Sequence, residues 1–280
     1  MNRALLIPLI AAASMSGNAH AVGNYAPVSG LNMYYETHGT RRHDDSPLVL
    51  VHGGGSTIIS TFGRVLPELA KKHWVIAVEL QAHGHTKDID RPLSFEQDAD
   101  DVAALLKRLE IKKASFFGFS NGGTSVLQIA IRHPELVDKL VLGSTTYRHD
   151  GMPSGFFDGF ANATLSMMPK ALRDAYLTAN PDPKGLQTMF DRDVARMSAF
   201  KDIDDADVRR IQAPALVINA DAEVVRAEHA VALARTLPHG HVMILPGGHG
   251  EYIGAAETPI THPDILPLAA AVIEAFLNGK

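Results

Sequence analysis

Short apolar runs recur along the chain, and most of them are followed by glycine or a polar turn. They lie at residues 48–51, 74–78, 114–117, 140–142, 215–218 and 242–245, after a first predicted strand at residues 31–36. Runs that are apolar on both faces are typical of parallel strands covered by helices on each side. The pattern therefore predicts a buried, mostly parallel sheet.

Segments with helical periodicity lie between several of these runs. Residues 95–109 place their aliphatic side chains on one face, behind a capping box. The acidic residues near the start of this helix, Asp98, Asp100 and Asp101, are interpreted as a solvated face that complements the helix dipole. Strands that alternate with helices predict an α/β fold with a doubly wound sheet, which binds ligands at the carboxyl ends of its strands.

One stretch interrupts the alternation. Residues 147–211 contain no clear strand but carry a set of large apolar side chains: Phe156, Phe157, Phe160, Met167, Met168, Met189, Phe190 and Met197. We expect a mainly helical cap here, inserted into a core made of residues 22–146 and 212–280. Tyr147 and His149, where this stretch begins, are candidates for the pocket lining, with plain surface positions as the alternative.

The strongest chemical signal is the pentapeptide Gly118-Phe119-Ser120-Asn121-Gly122, which follows a predicted strand and opens a predicted helix. Small residues on both sides of Ser120 permit the tight turn of a nucleophile elbow. Such a turn lifts the serine hydroxyl above the sheet, and the helix N-terminus favours negative charge beside it. Ser120 is the predicted nucleophile.

A glycine-rich stretch, His52-Gly53-Gly54-Gly55, follows the strand at residues 48–51. Glycines let backbone amides approach a tetrahedral oxyanion without an intervening side chain. We expect the amides of Gly54 and Asn121 to form the oxyanion hole, with Gly55 as the alternative to Gly54. A phosphate-binding loop is disfavoured, because the Gly-Lys-Ser/Thr ending of such loops is missing.

A base and an acid follow in the order that a serine triad requires. His249 lies between glycines just after the last predicted strand, where it can take the proton of a serine hydroxyl. Asp221 and Glu223 follow the strand at residues 215–218, and either carboxylate could orient the imidazole.

Together these motifs resemble those of α/β-hydrolase-fold serine hydrolases of the esterase and lipase type, over nearly the whole chain. The resemblance implies that Ser120 is the nucleophile, that His249 is the general base and then the acid, and that residues 147–211 form the cap. The acid loop of such proteins commonly reads Gly-Asp-x-Asp, and its second Asp aligns with Glu223. Glu223 is therefore the favoured acid and Asp221 the alternative.

The resemblance implies hydrolysis of a small-molecule, fairly apolar carboxylic ester through an acyl-enzyme, without a cofactor. The same triad also acts on lactones, amides and C–C bonds, or carries out perhydrolysis in haloperoxidase-like members, and a non-catalytic ligand-binding member of the fold is a further alternative. All the triad positions hold competent residues, which favours an enzyme.

Composition narrows the choice. The 280 residues are 46% hydrophobic and include no cysteine, which excludes a cysteine nucleophile, disulfides and thiolate metal sites. Lysine and arginine number 26 against 31 acidic residues, without a basic block, so nucleic-acid binding is not expected. The 14 histidines show no diagnostic metal-ligand spacing, so no metal site is expected.

The N-terminal segment has the pattern of a signal peptide. Arg3 precedes an apolar run at residues 4–13, and Ala19-His20-Ala21 forms a small-x-small cleavage site. The run is shorter than the roughly 18 residues of a membrane span, so stable membrane insertion is not expected. Residues 1–21 are thus a predicted signal peptide, cleaved after Ala21, and the expected location is periplasmic or secreted.

Overall fold

The computed structural model describes residues 22–41 and 46–279, so the predicted signal segment lies outside the described residues. Within them one eight-stranded sheet forms. Its strands are β1 (Val22–Val28), β2 (Leu31–His38), β3 (Leu48–Val51), β4 (Val75–Val78), β5 (Ala114–Phe119), β6 (Val137–Gly143), β7 (Ala215–Ala220) and β8 (Gly240–Leu245).

The helices in the described residues alternate with these strands. They are α1 (Ile58–Phe62), α2 (Leu66–Leu69), α3 (Phe95–Arg108), α4 (Asn121–Arg132), α5 (Lys170–Ala179), α6 (Pro183–Ser198), α7 (Asp205–Arg209), α8 (Ala227–Thr236) and α9 (Ile265–Asn278). Short 3₁₀ turns lie at Pro134–Leu136, His149–Gly151, Asp158–Asn162, Leu165–Met167 and Glu251–Ile253.

The strand order is β1-β2-β4-β3-β5-β6-β7-β8. β1 pairs with β2, and β2 with β4, in antiparallel fashion, whereas the pairs from β4 through β8 are parallel. The predicted α/β class with a mostly parallel, doubly wound sheet is confirmed. β1, which carries Pro27, was not anticipated, because its polar and proline-containing sequence lacks the apolar run of a central strand.

The core has two layers, one on each face of the sheet. Along β3, Val49 and Val51 join a cluster that includes side chains of α3, α4 and α8, while Leu48 and Leu50 face α1, α2 and α9. Since neighbouring strand residues point to opposite faces, burial on both sides requires the continuous apolar runs seen in the sequence.

The segment between β6 and β7 contains α5, α6, α7 and three of the 3₁₀ turns, and residues 147–211 of it are called the cap below. α5 and α6 pack against each other through an apolar cluster that also includes Ala82, from the loop after β4. This contact places the cap over the carboxyl ends of the parallel strands.

The acidic start of α3 differs from the expectation. Asp98 and Asp101 are only 2% and 1% exposed, so their interpretation as a solvated face is wrong. Arginines from outside α3 cover them: Arg196 of α6 donates to Asp98 at 2.8 Å, and Arg91, from the loop before α3, pairs with Asp101 at 2.5 Å. Asp100 is partly exposed and pairs with Arg132.

In the described part of the chain, no helix has the length and apolar character needed to cross a membrane.

Candidate active site

Ser120 occupies a sharp turn between β5 and α4. Its φ and ψ are 54° and −123°, a backbone conformation that side chains rarely adopt. The turn depends on close backbone contacts: a Cβ on Gly122 would lie 2.2 Å from the carbonyl oxygen of Val51. Only glycine permits that approach. The glycine two positions after Ser120 therefore allows the sharp turn that holds the serine in its strained conformation at the carboxyl edge of the sheet.

His52 fixes the loop that follows β3. Its Nδ1–H donates to the carbonyl oxygen of Gly53 at 2.8 Å, and its Nε2 accepts the Leu80 amide at 3.1 Å. Complete burial lowers the pKa of His52 to about 3, so the ring is neutral, as one donor and one acceptor require. His52 thus holds the loop and is fully engaged in doing so.

Two amides are available beside Ser120. No acceptor for the N–H groups of Gly54 and Asn121 is found in the described part of the chain. The two segments touch, since a Cβ on Gly54 would lie 2.4 Å from the Asn121 side-chain nitrogen. The amide of Gly55, the alternative, instead donates to Asp193 of α6 at 2.5 Å. Of the two glycines, the structure leaves Gly54 with the unengaged amide.

His249 follows β8 and is bonded to Glu223, which follows β7. Its Nδ1–H donates to Glu223 Oε2 at 2.5 Å. The other carboxylate oxygen, Oε1, accepts the Ala220 amide at 2.6 Å and the Ser144 hydroxyl at 2.8 Å. The Glu223 side chain is fully buried. A histidine whose Nδ1 carries the proton presents an unprotonated Nε2, the form a general base needs.

Asp221, the alternative acid, has a different position. It is exposed, and its Oδ1 accepts the amide of Gly247 at 3.0 Å. Of the two candidate carboxylates, the structure brings only Glu223 to the imidazole. Asp221 instead ties the β7 loop to the loop that carries His249.

A buried carboxylate holds the loop after His249 in place. Glu251 accepts the amides of Gly248 at 3.0 Å, Thr261 at 2.5 Å and His262 at 2.6 Å. Burial would raise the pKa of Glu251, but these amides outweigh it and bring the pKa to about 2. The carboxylate therefore stays ionised and keeps both ends of the loop together.

Ser120 and His249 lie on the wall of one cavity of about 410 Å³ beneath the cap. Most of its lining is apolar: Met152, Phe156, Phe160, Met167, Met168, Leu172, Met189, Phe190, Val194, Met197, Val224 and Val225. Tyr147 and His149, the two candidates for the lining, are not part of this cavity wall. Tyr147 packs against His229, and His149 pairs with Asp202.

The His249 ring is hydrogen-bonded to Glu223, and among the described residues no hydrogen bond between this ring and Ser120 is found. Catalytic bonds of this kind often tighten only in the substrate complex.

Sequence reasoning missed Asp193, His83 and Arg196, which form a buried charged cluster at the cavity. His83 Nε2 lies 3.0 Å from Asp193 Oδ2, and Arg196 also donates to Asp193. The i,i+3 spacing of Asp193 and Arg196 is visible in the sequence. Their partners are about 100 positions away, however, and no local pattern identifies them.

Within residues 22–41 and 46–279, no group of three or more side chains suited to metal binding is found.

Comparison with known proteins identifies the family. Residues 46–195, more than half of the 280, match the alpha/beta hydrolase fold family. The chain is 27% identical over 241 residues to serine hydrolase BPHL of Homo sapiens, covering 79% of this chain and 77% of that protein. Over 109 residues it is 38% identical to 2-hydroxymuconate semialdehyde hydrolase of Pseudomonas sp. strain CF600, covering 37% of this chain and 38% of that one.

A solved structure agrees in architecture. The 2-hydroxy-6-oxo-6-phenylhexa-2,4-dienoate hydrolase from Rhodococcus sp. strain RHA1 matches with a TM-score of 0.72 and 20% identity, over 92% of this chain and 99% of that one. At this identity the similarity supports the fold alone. The family match and the sheet order confirm the resemblance found in the motifs, and the chain belongs to the alpha/beta hydrolase fold family of hydrolases.

Proposed function

We propose that this hydrolase cleaves carboxylic esters of neutral, largely apolar substrates through an acyl-enzyme on Ser120. The observation that carries the proposal is the 2.5 Å hydrogen bond from His249 to the buried Glu223. His249 lies on the wall of the same cavity as the strained Ser120. This arrangement supports Ser120 as the nucleophile, His249 as the base and Glu223 as the orienting acid, next to the unengaged amides of the predicted oxyanion hole.

In the proposed reaction, Ser120 Oγ attacks the ester carbonyl carbon while His249 Nε2 takes the hydroxyl proton. The carbonyl oxygen becomes an oxyanion, which the amides of Gly54 and Asn121 bind. Glu223 stabilises the imidazolium that forms. His249 then gives its proton to the departing alkoxide, leaving the acyl group on Ser120. A water molecule, deprotonated by His249, attacks the acyl-enzyme, and His249 returns that proton to Ser120 Oγ as the acid is released.

The cavity supports the choice of a neutral, apolar substrate. Its volume of about 410 Å³ lies at the small end of the ~300–1,000 Å³ usual for ligand sites. Among the described residues its lining includes no lysine or arginine, and its one carboxylate is Asp193. A substrate carboxylate, such as the one in the dienoate named for the Rhodococcus hydrolase, would find no cation here. A neutral ester therefore suits this cavity better than an anionic dienoate.

Covalent labelling and a graded substrate panel test the proposal. Wild-type protein should react with a fluorophosphonate probe and hydrolyse p-nitrophenyl esters from acetate to octanoate. Ser120→Ala should abolish labelling and lower kcat by roughly 10⁴-fold or more. A folded wild-type protein that does not label contradicts the nucleophile. Labelling together with turnover of a dienoate but of no ester contradicts the substrate class.

We also propose that the protein is exported, on the strength of the signal pattern in residues 1–21. Expression in a Gram-negative host should give a periplasmic or secreted product whose N-terminal residue is Val22. Fractionation followed by intact-mass measurement checks this. An uncleaved chain that stays in the cytoplasm contradicts it.

A further inference from the structure

Asp193 is a cap residue that reaches into the core. It lies on α6, is 9% exposed, and forms part of the cavity wall beside Ser120. Its Oδ2 accepts the amide of Gly55 at 2.5 Å. A carboxylate of the cap is therefore bonded directly to the loop that carries the predicted oxyanion amide of Gly54.

A buried histidine supports the charge of this carboxylate. His83, which is fully buried, has two acceptors: Nδ1 lies 2.8 Å from the carbonyl oxygen of Gln81, and Nε2 lies 3.0 Å from Asp193 Oδ2. A neutral imidazole has only one N–H, so two acceptors require the imidazolium. Burial would lower the pKa of His83, but Asp193 outweighs it and raises the pKa above its ordinary value.

Arg196 holds the other side of Asp193. It donates to Asp193 Oδ1, and its second amino group donates to the buried Asp98 at 2.8 Å. Burial would raise the pKa of Asp193, whereas Arg196 and His83 hold it below its ordinary value. Asp193 therefore accepts one hydrogen bond at Oδ1 and two at Oδ2. Its carboxylate is held by Arg196 of α6, which Asp98 of α3 holds in turn, and by His83 of the loop after β4.

We propose that Asp193 is a positioning residue for the oxyanion hole: by accepting the Gly55 amide, it fixes the peptide units that aim the Gly54 amide at the reacting carbonyl oxygen. The inference rests on the proposed function, because it assigns Gly54 a role in that reaction. It also explains why the cap supplies a carboxylate to an otherwise apolar cavity. A displaced Gly54 amide would leave the bound ester in place but lose stabilisation of the tetrahedral state.

The test compares Asp193→Asn with Asp191→Asn, a matched control at an exposed position of the same helix. An asparagine at 193 keeps one oxygen, so its NH₂ group would face either Arg196 or both His83 and the Gly55 amide, and the acceptor of the Gly55 amide loses its negative charge in either case. Loss of a direct oxyanion donor lowers kcat by about 10²–10³-fold, so an indirect loss should be about 10–100-fold. KM should change less than about threefold. Inhibition by an alkyl boronic acid, which forms a tetrahedral adduct on serine, should weaken in parallel with kcat.

Two further measurements keep the outcomes separate. In the wild type, the Gly55 amide proton should resonate far downfield, as a donor to a carboxylate does, and it should move upfield in Asp193→Asn. If that variant does not fold, His83→Gln, which removes the supporting imidazolium, should lower kcat with KM unchanged. Unchanged kcat and boronate affinity in a folded variant, or a change confined to KM, would overturn the inference. Wild-type protein that fails to react with the fluorophosphonate would instead refute the proposed function.

Discussion

Replacing Glu223 by glutamine should reverse the proton arrangement of His249. Glu223 Oε1 accepts two donors, the Ala220 amide and the Ser144 hydroxyl. In Glu223→Gln the amide oxygen should take that place, because an NH₂ group there would face both donors. The NH₂ group is then directed at His249 Nδ1, where Oε2 now lies at 2.5 Å. The imidazole must accept at Nδ1 and carry its proton on Nε2, so it cannot take the proton of Ser120.

The expected cost follows from this tautomer change. A triad with an intact shape but the wrong tautomer loses about 10⁴-fold in kcat. That factor corresponds to about 5 kcal/mol of transition-state stabilisation. The substitution preserves volume and both bonds to Oε1, so stability and KM should change little. Stopped-flow kinetics with a p-nitrophenyl ester would show the acylation step slowed by this factor.

Asp221→Asn is the matched control, because its side-chain oxygen can still accept the Gly247 amide. This variant should retain activity within about fivefold, since a preserved neutral hydrogen bond leaves at most about 1 kcal/mol to lose. A folded Glu223→Gln enzyme with near-normal kcat, or an Asp221→Asn enzyme that loses 10²-fold or more, would refute the assignment of Glu223 as the orienting acid.

Three further predictions concern groups around this centre. Ser144→Ala should lower kcat by about tenfold in steady-state assays, because a hydrogen bond to a charged group contributes about 1.5 kcal/mol; an unchanged kcat would exclude a role for this bond. Glu251→Gln should lower stability at pH 7 and flatten its pH dependence below pH 4.5, since the native pKa of about 2 gives the wild type stability that is lost as the pH falls from 4.5 towards 2. Urea titrations at pH 7 and pH 3 measure both effects, and parallel losses in the two proteins would contradict the linkage. In the wild type, kcat/KM should rise about fourfold per added methylene until the cavity is full. Met189→Trp should end that rise at a shorter acyl chain, and the same chain-length profile in both proteins would show that Met189 does not bound the acyl site.

The parts that the sequence predicted are those with local physical causes. The helix predicted to open at the pentapeptide is α4, and it begins at Asn121 because the glycines of the elbow let the chain turn at Ser120. The strands were recognised because burial on both faces leaves a continuous apolar run. Their ends were less certain: β6 begins at Val137, three residues before the run at 140–142, since partly buried polar residues also pair in the sheet.

The parts that were missed depend on contacts between distant segments. Asp98 has the sequence context of a solvated helix start, and it is buried only because Arg196, 98 positions later, covers it. His83 shows no signal of charge by itself, and its protonation follows from Asp193, 110 positions away. A buried charge is tolerated only when a partner compensates it. Such partners come from tertiary structure, which helix periodicity and motif spacing do not describe.

Contacts between distant segments also affect how the core and the cap share catalysis and substrate selection. If the core alone supplied chemistry and the cap alone selected substrates, substitutions in α6 would change KM and leave kcat intact. The bond from Asp193 to the Gly55 amide joins α6 to the loop beside Ser120, so we expect a shift of α6 to displace that loop. Repacking of apolar cap residues such as Met197, on the same helix and in the cavity wall, should therefore alter the rate of acylation as well as substrate preference. On the proposed mechanism, we expect the cap sequence to affect catalysis through geometry, although none of the cap residues belongs to the proposed triad.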